Sequence, residues 1–289
     1  MNTPFYVLMR VLPKNCFSQV FGVFTRLKIP FISAKARDWF ARYYQLNMDE
    51  AELPLQDYPN IASLFIRHLK EGERPIAKAS VVSPVDGKLS QTGCFEENST
   101  EMIQAKSKNY TLASLIRDEK LAKSFEGGAW ATIYLAPFNY HRIHSPVTGS
   151  LVSAHYIPGT LWPVNKGSVN RIEGLFAINE RIVSRIAMEN GAEILVVKVG
   201  ATNVGRIVLS YKEDWISNST SLARSSSRLD WEPSEAISFE KGQEIARFEM
   251  GSTVILVANK ALRSQNPELF KDYLDKDLLL GQSLCPLVL

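Results

Sequence analysis

From about residue 78 onward, the sequence alternates short β-rich runs with Gly, Pro and Asn residues, and this alternation limits the folds open to the chain. Runs such as "GAWATIYLA", "AEILVVKVG" and "STVILVA" have the length and composition of strands, and many alternate polar and apolar residues with a period of two. The turn residues between them are typical of neighbouring antiparallel strands. We therefore predict an α+β, mainly β fold with an antiparallel β-rich core.

Residues 1–48 are predicted to be helical instead, because apolar residues recur there at helical spacing on both sides of Pro13. Residues 1–45 contain seven Lys or Arg and one acid, Asp38, whereas the rest of the chain carries a net negative charge. Two interpretations stay open for this segment: a helical cap packed on the core, or an amphipathic helical segment that binds anionic lipid. We place a domain boundary after residue 48, with a β-rich domain over residues 49–289.

Two further helices are predicted over residues 60–72 and over residues 111–125, the second with Thr111 as its N-cap.

The three cysteines are far apart and lack metal-binding spacing, which favours a reducing compartment. No apolar run approaches the roughly 20 residues that a bilayer-spanning helix needs, and we expect no signal peptide at the N-terminus.

The segment "FNYHRIHSPVTG" contains His141 and His144 in a stretch bounded by prolines. The pair lacks a third ligand and the spacing of a zinc protease, so we expect no metal. The histidines can be structural or functional. In "SPVDGKL", Asp86 either serves a tight turn or accepts a hydrogen bond from a histidine and so fixes its tautomer.

In "EMGSTVILV", Ser252 follows Gly251 at the start of an apolar strand. The segment can be an ordinary turn. It can also cut itself, because a serine hydroxyl can attack the preceding carbonyl, and glycine leaves that carbonyl uncrowded. A His/Asp pair would remove the hydroxyl proton.

Five motifs occur in an order that resembles the bacterial phosphatidylserine decarboxylase family, whose members are pyruvoyl-dependent and membrane-associated. They are "PVDG" at 84–87, "FNYHRIHSPVTG" at 138–149, "GLFAINERIV" at 174–183, "VGATNVGRI" at 199–207 and "GQEIARFEMGSTVILV" at 242–257. The resemblance covers nearly the whole chain. Met250 stands where the family usually has leucine, and this conservative change keeps the Gly251–Ser252 pair.

The resemblance implies that Asp86, His144 and Ser252 form a self-processing triad and that His141 acts in decarboxylation as the proton donor. Cleavage between Gly251 and Ser252 would give a large chain, 1–251, and a small chain, 252–289, that form a heterodimer. Ser252 would become the covalent pyruvoyl cofactor, on which phosphatidylserine forms a Schiff base before it loses CO₂ and leaves as phosphatidylethanolamine. The β-rich domain would thus be catalytic.

The resemblance also implies an anionic membrane surface as a partner and a peripheral location on the cytoplasmic face of the inner membrane. We expect no nucleic-acid partner, and a higher homo-oligomer is left open. Two rival functions remain at this stage: a β-rich metal-dependent hydrolase that uses Asp86, His141 and His144, and a membrane-binding module in which Gly-Ser-Thr is only a turn.

Overall fold

A computed structural model describes residues 3–105, 108–202, 206–219, 225–249 and 253–285. Its helices are α1 Thr3–Val11, α2 Lys14–Arg26, α3 Ile32–Tyr43, α4 Ile61–Phe65, α5 Leu112–Ile116, α6 Glu119–Lys123, α7 Lys166–Val169, α8 Leu175–Ile178 and α9 Lys260–Gln265. Its strands are β1 Gly87–Cys94, β2 Glu101–Ala105, β3 Lys108–Thr111, β4 Ala129–Tyr134, β5 Arg142–His144, β6 Gly149–Ile157, β7 Arg181–Ala187, β8 Glu193–Val199, β9 Ile207–Leu209, β10 Lys212–Ile216, β11 Ser227–Asp230, β12 Ile237–Phe239, β13 Glu244–Phe248, β14 Thr253–Ala258 and β15 Asp277–Leu278.

The larger sheet has nine strands among the described residues, in the order β11-β6-β7-β8-β14-β4-β1-β15, with β12 also pairing with β6. A second sheet has the order β10-β9-β13-β5, and β2 and β3 form a separate hairpin. All of these strand pairs are antiparallel. The predicted α+β, mainly antiparallel β class is therefore confirmed.

Strand β14 lies inside the larger sheet and is buried along its whole length. One face of the strand, including Val254 and Leu256, packs into a core shared with the smaller sheet. The other face, including Ile255 and Val257, packs into a core that contains residues of α5 and α8. A strand covered on both faces needs an unbroken apolar run, which explains why "VILVA" shows no alternation.

The N-terminal helices pack on the core and also leave apolar side chains exposed. Met9 of α1 is buried with the α5 and α8 core, and Phe40 of α3 is buried against Phe65 of α4. Phe31, between α2 and α3, is 82% exposed. Further exposed apolar side chains in this segment are Val7, Leu8, Val11, Phe17, Val20, Val23, Phe24, Ile29, Ile32 and Trp39. The boundary at residue 48 stays a prediction.

Both further helices differ from their predicted extents. The helix predicted over residues 60–72 is only Ile61–Phe65, and the one predicted over residues 111–125 is split into α5 and α6. The split occurs because Arg117 is left-handed (φ 52°) and Asp118 begins a new helix by accepting a hydrogen bond from the Leu121 amide. Thr111 caps α5 as predicted, since its side chain accepts from the Ser114 amide. Within the described ranges, no helix is long and apolar enough to cross a bilayer.

Candidate active site

The candidate site lies where β14 begins, beside the segment that joins β4 to β5. Thr253, the first residue of β14, is paired with Tyr134 of β4 and Val199 of β8. The predicted cleavage residues, Gly251 and Ser252, lie outside the described residues. Of the Tyr-His-Arg-Ile-His motif, His141 is linked to the chain that leads towards this strand, because its carbonyl oxygen accepts a hydrogen bond from the Phe248 amide at 2.9 Å.

His141 is completely buried, and one of its ring nitrogens has no hydrogen-bond partner in the described part of the chain. Its Nδ1 lies 2.8 Å from the Asn139 carbonyl oxygen. Because a carbonyl can only accept, Nδ1 carries the proton and the unpartnered Nε2 holds a lone pair. The pKa of His141 is lowered to about 3, chiefly by burial and also by the nearby Arg67 cation, although the hydrogen bond to the Asn139 carbonyl raises it. The imidazole is therefore neutral and can accept a proton at Nε2.

His144 has the same tautomer. Its Nδ1 lies 2.8 Å from the Gly242 carbonyl oxygen, so Nδ1 donates and Nε2 is left as the acceptor. The Tyr140 hydroxyl lies 3.3 Å from Nε2. Burial lowers the pKa of His144, and the Gly242 carbonyl, which favours a charged ring, partly opposes this. His144 therefore also presents a neutral ring with a basic Nε2.

Asp86 is buried beside a cation. Its carboxylate accepts hydrogen bonds from Arg74, at 2.9 Å to Nε and 2.6 Å to Nη2, and from the Leu280 amide at 2.8 Å. In this structure the Gly242 carbonyl, and not Asp86, occupies the hydrogen-bonding position at His144 Nδ1. Asp86 acts on the ring only through its charge, which weakly raises the pKa of His144. Its role in orienting His144 therefore stays a prediction, as does the catalytic role of each residue.

The glycine after Asp86 has a packing reason of its own. A Cβ on Gly87 would lie 2.7 Å from the Tyr134 carbonyl oxygen, so β1 can approach β4 at this point only with glycine. The Asp-Gly pair thus places a buried carboxylate where β1 comes close to β4. An ordinary surface turn would need neither the burial nor the close approach.

Sequence reasoning missed Arg67, which is 4% exposed and lies next to His141. Its Nη2 donates to the Phe138 carbonyl oxygen at 2.9 Å, whereas Nε and Nη1 have no hydrogen-bond partner among the described residues. Burial lowers the pKa of Arg67, and the negative charges of Asp86 and Glu50 partly restore it. Nothing in "FIRHLKEG" marks this arginine, because the segment looks like the exposed end of an amphipathic helix.

An apolar cavity of about 610 Å³ is lined in part by Tyr134, the β4 residue that pairs with Thr253 at the start of β14. It is lined by residues of α2 and α3, by Ile61 and Phe65 of α4, and by residues that end or follow β4 and β8, including Tyr134 and Thr202. The Phe65 ring also lies 3.9 Å from the His141 ring, measured between centroids. The cavity therefore connects the N-terminal helices with the residues around the histidine, and its lining suits an alkyl chain.

The groups described near the start of β14 are compatible with a covalent carbonyl group there. No cluster of three His, Cys, Asp or Glu side chains that could hold a metal ion occurs within the described ranges. A buried neutral imidazole with an unpartnered nitrogen lies close to an apolar cavity, and such a nitrogen can exchange a proton with a bound molecule.

Comparison with known proteins agrees with the motifs. Residues 61–276 match the family model described as phosphatidylserine decarboxylase. The phosphatidylserine decarboxylase proenzyme of Myxococcus xanthus is 44% identical over 256 residues, which is 88% of each chain. That of Anaeromyxobacter sp. is 43% identical over 92% of this chain and 93% of its own length, and that of Brevibacillus brevis is 38% identical over 96% and 95%.

The family model covers most of the chain, and the relatives match it nearly from end to end. The predicted family is therefore confirmed, as is the predicted enzyme class, the carboxy-lyases. The chain belongs to the phosphatidylserine decarboxylase family.

Proposed function

We propose that this protein converts phosphatidylserine to phosphatidylethanolamine and CO₂ by means of a pyruvoyl group that it makes from Ser252. The observation that supports this most directly is His141, a fully buried neutral imidazole whose Nε2 has no partner in the described part of the chain. Its ring packs on Phe65, which lines an apolar cavity together with Tyr134, the partner of Thr253 at the start of β14. The relatives are named proenzymes, which supports activation by cleavage.

The first reaction is self-cleavage at Gly251–Ser252. His144 removes the Ser252 hydroxyl proton at Nε2, because its Nδ1–H is held by the Gly242 carbonyl. The hydroxyl oxygen attacks the Gly251 carbonyl, and an ester replaces the peptide bond. Loss of the Ser252 α-proton then breaks the ester C–O bond and releases Gly251 as a carboxylate. The remaining enamine tautomerises to an imine, and water hydrolyses it to a ketone and ammonia.

The second reaction is decarboxylation, for which the pyruvoyl group would supply an electron-accepting carbonyl. Side chains of the protein carry out the proton transfer. The net reaction consumes one proton, which His141 delivers from Nε2 to the carbon from which CO₂ departs. The proton-donor role expected for His141 thus requires that Nε2 first takes up a proton, because Nδ1–H stays bonded to Asn139.

The cavity and the N-terminal helices suit a lipid substrate. An acyl chain in the apolar cavity would bring its headgroup to the start of β14. The exposed apolar side chains of α1 to α3 would lie in the membrane interface, and nearby basic residues would attract anionic lipids by roughly 1 kcal/mol each. We further propose that the protein is peripheral on the cytoplasmic face of the inner membrane.

The test is intact-mass analysis of purified protein together with an assay of CO₂ release. We expect two chains, 1–251 and 252–289, with the small chain lighter than encoded because the serine has lost its hydroxyl and its amine has been replaced by a keto oxygen. Ser252→Ala should stay as one chain and release no CO₂, and a chelator should not affect the wild type. Active protein that is uncut and retains serine at 252 would refute the proposal.

A further inference from the structure

Three arginines meet at one carboxylate immediately before the proposed cleavage site. Glu249 lies 3.2 Å from Arg206 Nε, 3.6 Å from Arg26 Nη1 and 3.9 Å from Arg247 Nη2. Within the described ranges, these arginines have no ion pair with any other carboxylate. The cluster therefore carries two positive charges in excess.

The cluster is packed in place, but solvent can still reach it. The Arg206 carbonyl accepts a hydrogen bond from the Glu249 amide at 2.8 Å. The Arg26 guanidinium lies against Gly22, where a Cβ would be 3.3 Å from Nη1. The arginine side chains are 25–35% exposed and that of Glu249 is 15% exposed. The pKa of Arg26 is lowered by burial and by repulsion from Arg206, as expected where cations outnumber anions.

The donors of the cluster also outnumber its acceptors. Each guanidinium has several N–H groups in a planar fork that suits phosphate oxygens, whereas Glu249 provides only one carboxylate. The Nε of Arg247 has no hydrogen-bond partner in the described part of the chain. A further anion could therefore bind without displacing any protein group.

The position of the cluster indicates which anion it binds. Arg26 ends α2 between Thr25 and Leu27, which both line the apolar cavity, and Thr202 of the same lining precedes Arg206 by four residues. Ser252 follows Glu249 by three residues, at most about 10 Å of extended chain. In phosphatidylserine, only a methylene and an ester oxygen separate the amine-bearing carbon from the phosphorus. An amine at residue 252 would thus bring the phosphodiester towards these arginines.

We infer that Arg26, Arg206 and Arg247, gathered around Glu249, bind the phosphodiester group of an anionic phospholipid whose acyl chain enters the cavity. This inference rests on the proposed function for the substrate class. It gives the cluster a substrate-binding role that is separate from the proton transfers at the histidines.

The test measures binding to full-length Ser252→Ala, so that it requires neither cleavage nor decarboxylation. The probe is dihexanoyl phosphatidylglycerol below its micelle concentration, titrated by calorimetry. Arg26→Gln and Arg206→Gln should each raise Kd about tenfold, as expected for the loss of a charge-assisted hydrogen bond. Glu249→Gln should lower Kd, because it removes the competing carboxylate. The matched control Arg10→Gln, an exposed arginine of α1, should leave Kd unchanged.

Several outcomes would overturn the inference. They are unchanged Kd in the Arg26 and Arg206 variants, an equal loss with Arg10→Gln, or inorganic phosphate binding as tightly as the lipid. If Arg206→Gln fails to fold by its thermal midpoint, Arg26→Gln and Glu249→Gln decide the question through their opposite signs. Failure of the proposed function is a different result, namely an uncut or inactive wild type, and it leaves this binding measurement intact.

Discussion

His141 and His144 each donate Nδ1–H to a backbone carbonyl, so both side chains present Nε2 as a base. A backbone carbonyl holds the tautomer without adding a negative charge next to the ring. Burial lowers the pKa of each imidazole, and the hydrogen bond to the carbonyl opposes this only in part, so both rings are neutral near pH 7.

The buried His141 makes a prediction about acid stability. The pKa of His141 is about 3 in the folded protein, against 6.5 for an ordinary histidine. Between these pH values the unfolded chain binds a proton that the folded chain excludes, so stability present above pH 6.5 is lost as the pH falls towards 3. The comparison is made in the uncut Ser252→Ala background. There, His141→Asn should make the urea concentration at the unfolding midpoint fall less steeply as the pH is lowered over this range. Identical slopes for the two proteins would contradict the burial of a neutral ring.

The Asp86–Arg74 pair makes a prediction about stability. Asp86→Asn leaves the buried Arg74 with Glu50 as its one anionic partner among the described residues, so the free energy of unfolding of the Ser252→Ala chain should fall by about 3 kcal/mol. Asp275→Asn is the matched control, because its pair with Lys88 is exposed and should contribute less than about 1 kcal/mol. Equal losses in urea unfolding would argue against a structural role for Asp86.

The candidate residues could be found from the sequence, but their partners could not. His141, His144 and Asp86 lie in short motifs that can be recognised along the chain. Gly242, which holds His144, is 98 residues away, and Leu280, which donates to Asp86, is 194 residues away. Only the pairing of distant strands brings these groups together, which is also why an Asp–His contact was expected and a Gly242 contact was not.

At the scale of elements, the strands were more predictable than the helices. A central strand such as β14 needs apolar residues on both faces, and that requirement is visible in the sequence. The end of α4 depends instead on a tertiary contact, because Arg142 donates from Nε to the Ile66 carbonyl oxygen at 2.9 Å. Arg67 then turns towards the protein interior, where residues 60–72 were expected to continue as a helix with an exposed polar face.

The N-terminal helices carry a prediction about membrane binding. Removing residues 1–45 would also remove core side chains such as Met9 and Phe40, so substitutions on the exposed face are a cleaner test. Val11→Ser and Phe31→Asn should each weaken partitioning onto anionic vesicles, by about tenfold if the side chain inserts fully. Residue 31 has a positive φ (63°), which asparagine adopts more readily than most other non-glycine residues.

The control for this prediction is Leu274→Ser, which removes an apolar side chain that is 49% exposed outside the N-terminal helices. Vesicle sedimentation should not change for this variant, and activity on detergent-dispersed substrate should be similar for all of them. Equal sedimentation of every variant would show that the exposed apolar face does not bind membranes.

At the scale of the whole molecule, the proposed cut falls next to β14. This strand is paired on both sides within the larger sheet. Residues Thr253–Ala258 pair with β4 on one side and with β8 on the other. The small chain also supplies β15, which pairs with β1 at the end of the sheet. We expect the cut protein to elute as one species in native gel filtration, at the same volume as Ser252→Ala. A separately eluting small chain would contradict this pairing.

The central position of β14 would also affect how a cut enzyme loses activity over time. Once cut, a molecule that loses this strand must recover it from solution, so refolding becomes a second-order reaction whose yield falls on dilution. The uncut precursor can instead refold within one chain. The working lifetime of the mature enzyme is then set by the rate at which the strand escapes, a kinetic rather than an equilibrium stability.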